Sequence, residues 1–172
     1  MLSYASPEKT GAYRAGGLTL FLAVGVILGA LAFEYIGGYA PCPLCLMQRY
    51  AYYAGIPLLF LAMALTSEMP RVAALIFLVV ALGFLANAGL GVYHSGVEWK
   101  FWPGPDTCGT VQALPTNATD LLKAAEQAVV VRCDEAQWRF AGLSFAGWNV
   151  VASILAFAGA LRAGILALST RS

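Results

Sequence analysis

Cys42 and Cys45 lie three residues apart in the stretch APCPLCLMQRY, and Arg49 follows the second of them by four. Two thiols at this spacing can be a redox pair, half of a metal site, or two small apolar core residues. The prolines narrow the geometry. Pro41 cannot sit inside a helix, whereas Pro43 suits the first turn of one, so a helix is expected to begin at about Cys42–Pro43. On that helix Cys42, Cys45 and Arg49 share one face near its start. Helix N-terminal N–H groups and a guanidinium both favour a thiolate, the species that attacks disulfides or gives up electrons. The other two cysteines, Cys108 and Cys133, are separated by twenty-four residues. Four cysteines could ligate zinc, but structural zinc sites usually use two short-spaced pairs, so no metal is expected. The turn-rich PGPDTCGT around Cys108 suits attack by an incoming thiolate, and suits an inert Cys108–Cys133 staple equally well.

These residues need elements to hold them, and the charge pattern supplies the elements. Only 11% of the 172 residues are charged, against about a quarter in an ordinary soluble domain. Nineteen uncharged residues separate Arg14 from Glu34, eighteen separate Arg49 from Glu68, twenty-six separate Arg71 from Glu98, and twenty-two separate Arg139 from Arg162. A membrane-crossing helix takes roughly 20 apolar residues, and none of these windows has the polar face a soluble bundle helix would need. The chain is therefore expected to be an all-α membrane protein, one domain over 1–172. Its four-helix transmembrane bundle has helices at approximately 15–34, 46–66, 72–94 and 143–165. The first window is too long for the apolar core of a signal peptide and is read as a retained helix. The net charge of +1 and the lack of a basic run, P-loop or dinucleotide fingerprint give no reason to expect nucleic acid.

Four helices place both termini on one side and the loops at about 35–45 and 95–142 on the other. All four cysteines fall in those loops or at their edge. Lys and Arg divide five to five between the sides, so they do not set the orientation. Disulfides persist outside the cytosol, and this points the cysteine loops outward and the termini inward. The long loop is expected to carry a short surface helix over Asp120–Val131, with Thr119 as its N-cap. Gly25 and Gly29 form a GxxxG face, and Gly83, Gly89 and Gly91 are candidate close-packing positions on the third helix. Asn87 and Asn149 are expected to form interhelical hydrogen bonds, with a cofactor headgroup as the rarer use.

Two dithiol pairs beside a membrane, with no thioredoxin-like domain in the chain, must exchange electrons with something else. The bilayer offers a quinone as acceptor, and the outer compartment offers a dithiol protein as donor. Four helices, CPLC opening the second, Arg49 beyond it, Cys108 and Cys133 in one outer loop, and CDEAQWRFAGLSFAGWN leading into the fourth helix together resemble the bacterial disulfide-bond formation protein DsbB family. The resemblance covers nearly the whole chain. It implies an inner-membrane enzyme with periplasmic loops, a protein dithiol:quinone oxidoreductase that reoxidises a DsbA-like thioredoxin-fold partner and takes ubiquinone or menaquinone as cofactor. It also implies that Cys108 and Cys133 form the loop disulfide attacked by the partner, with Cys108 the site of the mixed disulfide. Cys42 and Cys45 then receive the electrons, Cys45 passes them to quinone, and Arg49 and His94 face the quinone. Some relatives carry an acid where Gln48 stands, so no proton-transfer role is assigned there. In vitamin K epoxide reductase-like proteins the active CxxC lies late in the chain, unlike here. The protein is expected to act as a monomer. The rival reading is a non-catalytic bundle whose outer loops are stapled by disulfides and bind a partner.

Overall fold

A computed structural model describes residues 7–105 and 132–169. Cys108, Thr119 and the expected surface helix over 120–131 lie outside the described residues. Among the described residues four helices form a bundle: α1 (Pro7–Tyr35), α2 (Pro43–Leu65), α3 (Pro70–Glu98) and α4 (Phe145–Ser169). Three of them start on a proline, whose missing N–H costs nothing in a first turn. Three, α1, α3 and α4, are long and apolar enough to cross a membrane. The 23-residue α2 is long enough, but Gln48, Arg49 and three tyrosines in its first half dilute its hydropathy.

The helices extend past the apolar windows that flagged them. α1 begins at Pro7, eight residues earlier than expected, and α3 runs one turn beyond His94 to end on Glu98. A charge ends an apolar window without ending the backbone hydrogen-bond ladder. The fourth helix starts later than expected, because Leu143 and Ser144 belong to a hairpin. β1 (Arg139–Phe140) pairs antiparallel with β2 (Leu143–Ser144). Its two-residue turn has Ala141 at φ 51° and Gly142 at φ 82°, the left-handed pair that a tight primed turn demands.

Small residues let α3 and α4 approach closely. Ala74, Ala81 and Ala88 on α3 and Ala156, Ala160, Ala163 and Ala167 on α4 are buried. A Cβ built on Gly91 would lie 3.3 Å from the Ala146 carbonyl oxygen, so Gly91 is a true packing glycine. The same expectation fails for Gly83 and Gly89, which meet no described atom within 4 Å. It fails too for Gly25 and Gly29, which border a cavity instead of a neighbouring helix. Leu18, Phe21, Leu75, Leu82, Ile154 and Leu155 point outward, as expected of side chains solvated by lipid tails.

In the middle of the bundle Asn87 donates to Ser153 Oγ (3.0 Å) and Asn149 Oδ1 (3.3 Å), and the Tyr52 hydroxyl donates to Asn149 Oδ1 at 2.8 Å. This network joins α2, α3 and α4 through groups that hydrocarbon could not satisfy. At the end where α1 stops and α2 begins, Trp138 stacks on Phe145 (4.8 Å) and lies 5.2 Å from Phe33. Trp148 Nε1 donates to the Phe140 carbonyl at 3.1 Å, so the hairpin is fastened to α4.

Candidate functional site

The local sequence builds the first wall of the site. Cys42 is the N-cap of α2 (φ −74°, ψ 163°), and its Sγ accepts the Cys45 backbone N–H at 3.2 Å. Both are free thiols, Cys42 buried and Cys45 partly so. The Cys42 thiol is pushed above its ordinary range, first by its hydrogen bond to Cys45 and then by burial. Cys45 lies one helical turn before Arg49.

The other walls come from other helices. His94 near the end of α3 places Nε2 at 3.6 Å from Cys42 Sγ. The Gln48 amide N–H donates to His94 Nδ1 at 2.9 Å, which leaves the ring proton on Nε2, and the ring also hydrogen-bonds the Cys133 backbone. One turn on, Glu98 brings Oε1 to 3.8 Å from the same Nε2. Arg49 is 12% exposed and forms an ion pair with Glu34 of α1, and its second nitrogen reaches the Ala30 carbonyl at 3.5 Å. Such a pairing removes the cost of an isolated cation at the edge of the hydrocarbon.

Cys133 is 1% exposed and disulfide-bonded, and it packs in one buried cluster with Cys42 and Leu44, beside Cys45. Its neighbours pin it there. Gln137 donates to the Ala40 carbonyl at 2.9 Å, and Asp134 pairs with Arg132 (2.9 Å) and Lys100. The hydrogen bonds from Arg132 and then Lys100 hold the Asp134 carboxyl well below the usual carboxylate range.

A cavity of about 320 Å³ joins these groups, at the lower end of the size of small-ligand sites, roughly 300–1,000 Å³. Val26, Ile27 and Phe33 give it apolar walls, while Cys45, Arg49 and His94 face it from two further helices. Asn149 also borders it, and its Nδ2 is buried with no hydrogen-bond partner among the described residues. An apolar slot with a guanidinium, an imidazole N–H and an unused amide N–H fits a flat molecule carrying carbonyl oxygens. Cys42, Cys45 and His94 also bring one ligand atom each within 4.8 Å of one another, close enough to hold a metal ion.

Of the residues singled out from the sequence, Cys42, Cys45, Arg49, His94 and Cys133 converge here, and Cys108 lies outside the described residues. The sequence reading missed Glu34, Glu98 and the structural use of Gln48. The two acids were visible as the charges that bounded apolar windows, a position that flags an interfacial ionisable group, and Glu98 also by its i,i+4 spacing from His94.

Comparison with known proteins shows which family the chain resembles. The family model "Disulfide bond formation protein DsbB" matches residues 13–163. A Disulfide bond formation protein B from Marinobacter nauticus is 30% identical over 139 residues, covering 78% of this chain and 81% of that protein. Proteins of the same description from Hahella chejuensis and Aromatoleum aromaticum are each 34% identical. The first match covers 78% of this chain and 82% of the relative, the second 80% and 84%. No solved structure matches the chain.

Proposed function

The chain belongs to the DsbB family of disulfide-bond formation membrane proteins, and from that premise we propose that it is a quinone-dependent thiol oxidase. A reduced thioredoxin-fold protein of the DsbA kind is its donor, and membrane quinone, ubiquinone or menaquinone, is the acceptor. The cysteine end of the bundle faces the periplasm, the termini face the cytoplasm, and the inner membrane is its place. The observation that carries the reading is the burial of Cys133 against Cys42, on the rim of a cavity shared by Cys45, Arg49 and His94.

The steps follow from what each group can do. A donor thiolate attacks the Cys108–Cys133 disulfide at Cys108, forming a mixed disulfide and releasing Cys133 as a thiolate. The donor's second thiol displaces Cys108, so the donor leaves oxidised and Cys108 and Cys133 remain as a dithiol. Packed against Cys42, Cys133 is placed to pass that reduction to a Cys42–Cys45 disulfide by a second exchange. Cys45, with Arg49 one turn on, presents its sulfur to the cavity as a thiolate. Arg49, steadied by Glu34, offsets the negative charge on that sulfur and on any oxyanion in the cavity. His94, held by Gln48, sits with Nε2 3.6 Å from Cys42 Sγ, at the junction of Cys42 and Cys133. A quinone held in the cavity by Arg49 and the neighbouring polar groups would supply a sink for two electrons and two protons.

The test is quinone consumption by the purified protein given a reduced thioredoxin-fold donor, beside Cys45→Ser. Turnover that disappears in the variant establishes the electron route. Absence of quinone loss in the wild type, with all cysteines still oxidised, would refute the enzyme reading and leave a disulfide-stapled membrane scaffold.

A further inference from the structure

The end of α3 carries a lysine where the backbone favours glycine. Phe101 N–H donates to the Gly96 carbonyl at 2.9 Å and Lys100 N–H to the Val97 carbonyl at 3.1 Å, the bond pair that commonly closes a helix. In that ending the residue after the cap turns into the left-handed region. The cap is Trp99, and the next residue, Lys100, has φ 61°. Glycine usually stands there, because a Cβ is disfavoured in this conformation. The ending is firmly held. Trp102 folds back over Gly96, where an added Cβ would lie 2.0 Å from its ring, and its Nε1 donates to the Tyr93 carbonyl at 2.9 Å. A side chain kept at such a position calls for a use.

The use is visible at its tip. The Lys100 ammonium pairs with Asp134, the residue after Cys133. Asp134 also accepts from Arg132 Nε at 3.0 Å and Nη2 at 2.9 Å, but those bonds stay within one short segment. Among the described residues, Lys100 is the charged group that ties this segment to the end of α3. Beyond Cys133, Gln137 donates to the Ala40 carbonyl at 2.9 Å, just before Cys42. Between these two ties Cys133 is buried against Cys42, and its backbone meets the His94 ring. The Gln137 tie is neutral. The Lys100–Asp134 tie is charged and lies in water, with side chains 61% and 29% exposed, so salt screens it.

We propose that Lys100 is a positioning residue for exchange between the two cysteine pairs, holding Cys133 against Cys42 through its ion pair with Asp134. The inference rests on the thiol oxidase reading for the step it serves, while the docking itself involves this chain alone. In that step the Cys133 thiolate attacks Cys42 Sγ. A Cys133–Cys42 bond forms as the Cys42–Cys45 bond breaks, and Cys45 leaves as a thiolate. The Cys108 thiolate then attacks Cys133 Sγ, which forms the Cys108–Cys133 bond and releases Cys42 as a thiolate. The two protons given up by Cys108 and Cys133 are taken up by Cys42 and Cys45, and one electron pair has moved between the dithiols. The first attack needs its sulfurs in line, so its rate follows the fraction of time that the Cys133 segment is docked. Lys100 touches no sulfur and acts through Asp134.

The variant is Lys100→Gly, which removes the ammonium and gives the left-handed position the residue it favours. Its unfolding midpoint in detergent should equal or exceed that of the wild type. Full-length oxidised protein without quinone is mixed with excess reduced thioredoxin-fold donor, quenched in acid and alkylated, and each cysteine pair is read by mass spectrometry. Reduction of Cys108–Cys133 should keep its wild-type rate. Reduction of Cys42–Cys45 should slow by about two- to fivefold, an exposed ion pair written as a population ratio. Raising NaCl from about 0.05 to about 0.5 M should slow the wild-type transfer toward the variant's rate and leave the variant unchanged. Lys100→Arg should keep most of the rate, and amide exchange over residues 132–138 should accelerate in Lys100→Gly. A wild-type transfer rate in Lys100→Gly, equal salt dependence in both proteins, or slower transfer together with a lower unfolding midpoint overturns the role of Lys100. If the wild type never reduces Cys42–Cys45, yet 132–138 exchange faster in Lys100→Gly, Lys100 docks the segment and the oxidase reading falls instead.

Discussion

Gly29→Leu should make the protein more stable and a worse oxidase at the same time. A Cβ at Gly29 meets no described atom within 4 Å, and the residue borders the cavity from the α1 side. Replacing a helix-interior glycine by leucine gains up to about 1 kcal/mol from backbone propensity, and no clash offsets the gain. The same side chain projects into a space of only about 320 Å³ that the quinone reading assigns to a headgroup. Crowding a fitted site costs about 1–3 kcal/mol, which at 1.4 kcal/mol per tenfold raises an apparent quinone KM by roughly 5- to 150-fold. Gly83 provides the control, because it too has no described atom within 4 Å but does not line the cavity. Gly83→Leu should stabilise similarly and leave the KM unchanged. Thermal unfolding in detergent reads the first quantity, and initial rates against quinone concentration read the second. An unchanged KM in Gly29→Leu, or equal increases in both variants, would refute the assignment of the cavity as the quinone site.

Glu34→Gln leaves Arg49 without its carboxylate and, at 12% exposure, largely out of water. Removing one partner of a fully buried pair costs about 3–5 kcal/mol, and partial exposure brings the expected loss to roughly 1–3 kcal/mol, measurable as a lower unfolding midpoint. Tyr52→Phe deletes the 2.8 Å bond to Asn149 and should cost about 0.6 kcal/mol, the average for such membrane hydrogen bonds; a loss above about 2 kcal/mol would mean that the hydroxyl anchors more than this network. Asp134 sets a pH window. Because its pairing with Arg132 and Lys100 lowers its pKa, the stabilisation is complete above the unfolded value and is lost only as pH falls below it. Amide exchange over residues 132–138, corrected for intrinsic rates, should stay flat from about pH 8 to 5 and accelerate below about pH 4. A rise between pH 7 and 5 would assign the docking to another group.

Features encoded locally were legible from residue types alone. Four uncharged windows foretold four helices because the length of a membrane-crossing helix is fixed by bilayer thickness. CPLC foretold a helix start because proline acts on its own backbone, and the structure places the cap on Cys42. The hairpin at Arg139–Ser144 was hidden because its turn uses Ala-Gly in place of a stronger signal such as Asn-Gly, and its strands are only two residues long.

The arrangement of the site belongs to the tertiary structure. A helix surrounded by lipid is apolar on every side, so its sequence has no periodic stripe to mark which face turns inward. Gly25 and Gly29 therefore looked like packing positions and prove to leave room for a cavity, while Gly91 does pack. Nothing in their spacing brings Glu34 to Arg49, or Gln48 to His94, since each pair depends on how two helices are rotated against each other, whereas Glu98 meets His94 by its i,i+4 spacing on one helix. The burial of Cys133 against Cys42 likewise depends on where a distant segment docks. By itself the sequence determined the chemistry available: thiols beside a cation at a helix start, in a membrane. The tertiary structure decided which acid, imidazole and sulfur share one pocket, because interhelical contacts, not local preference, fix those distances.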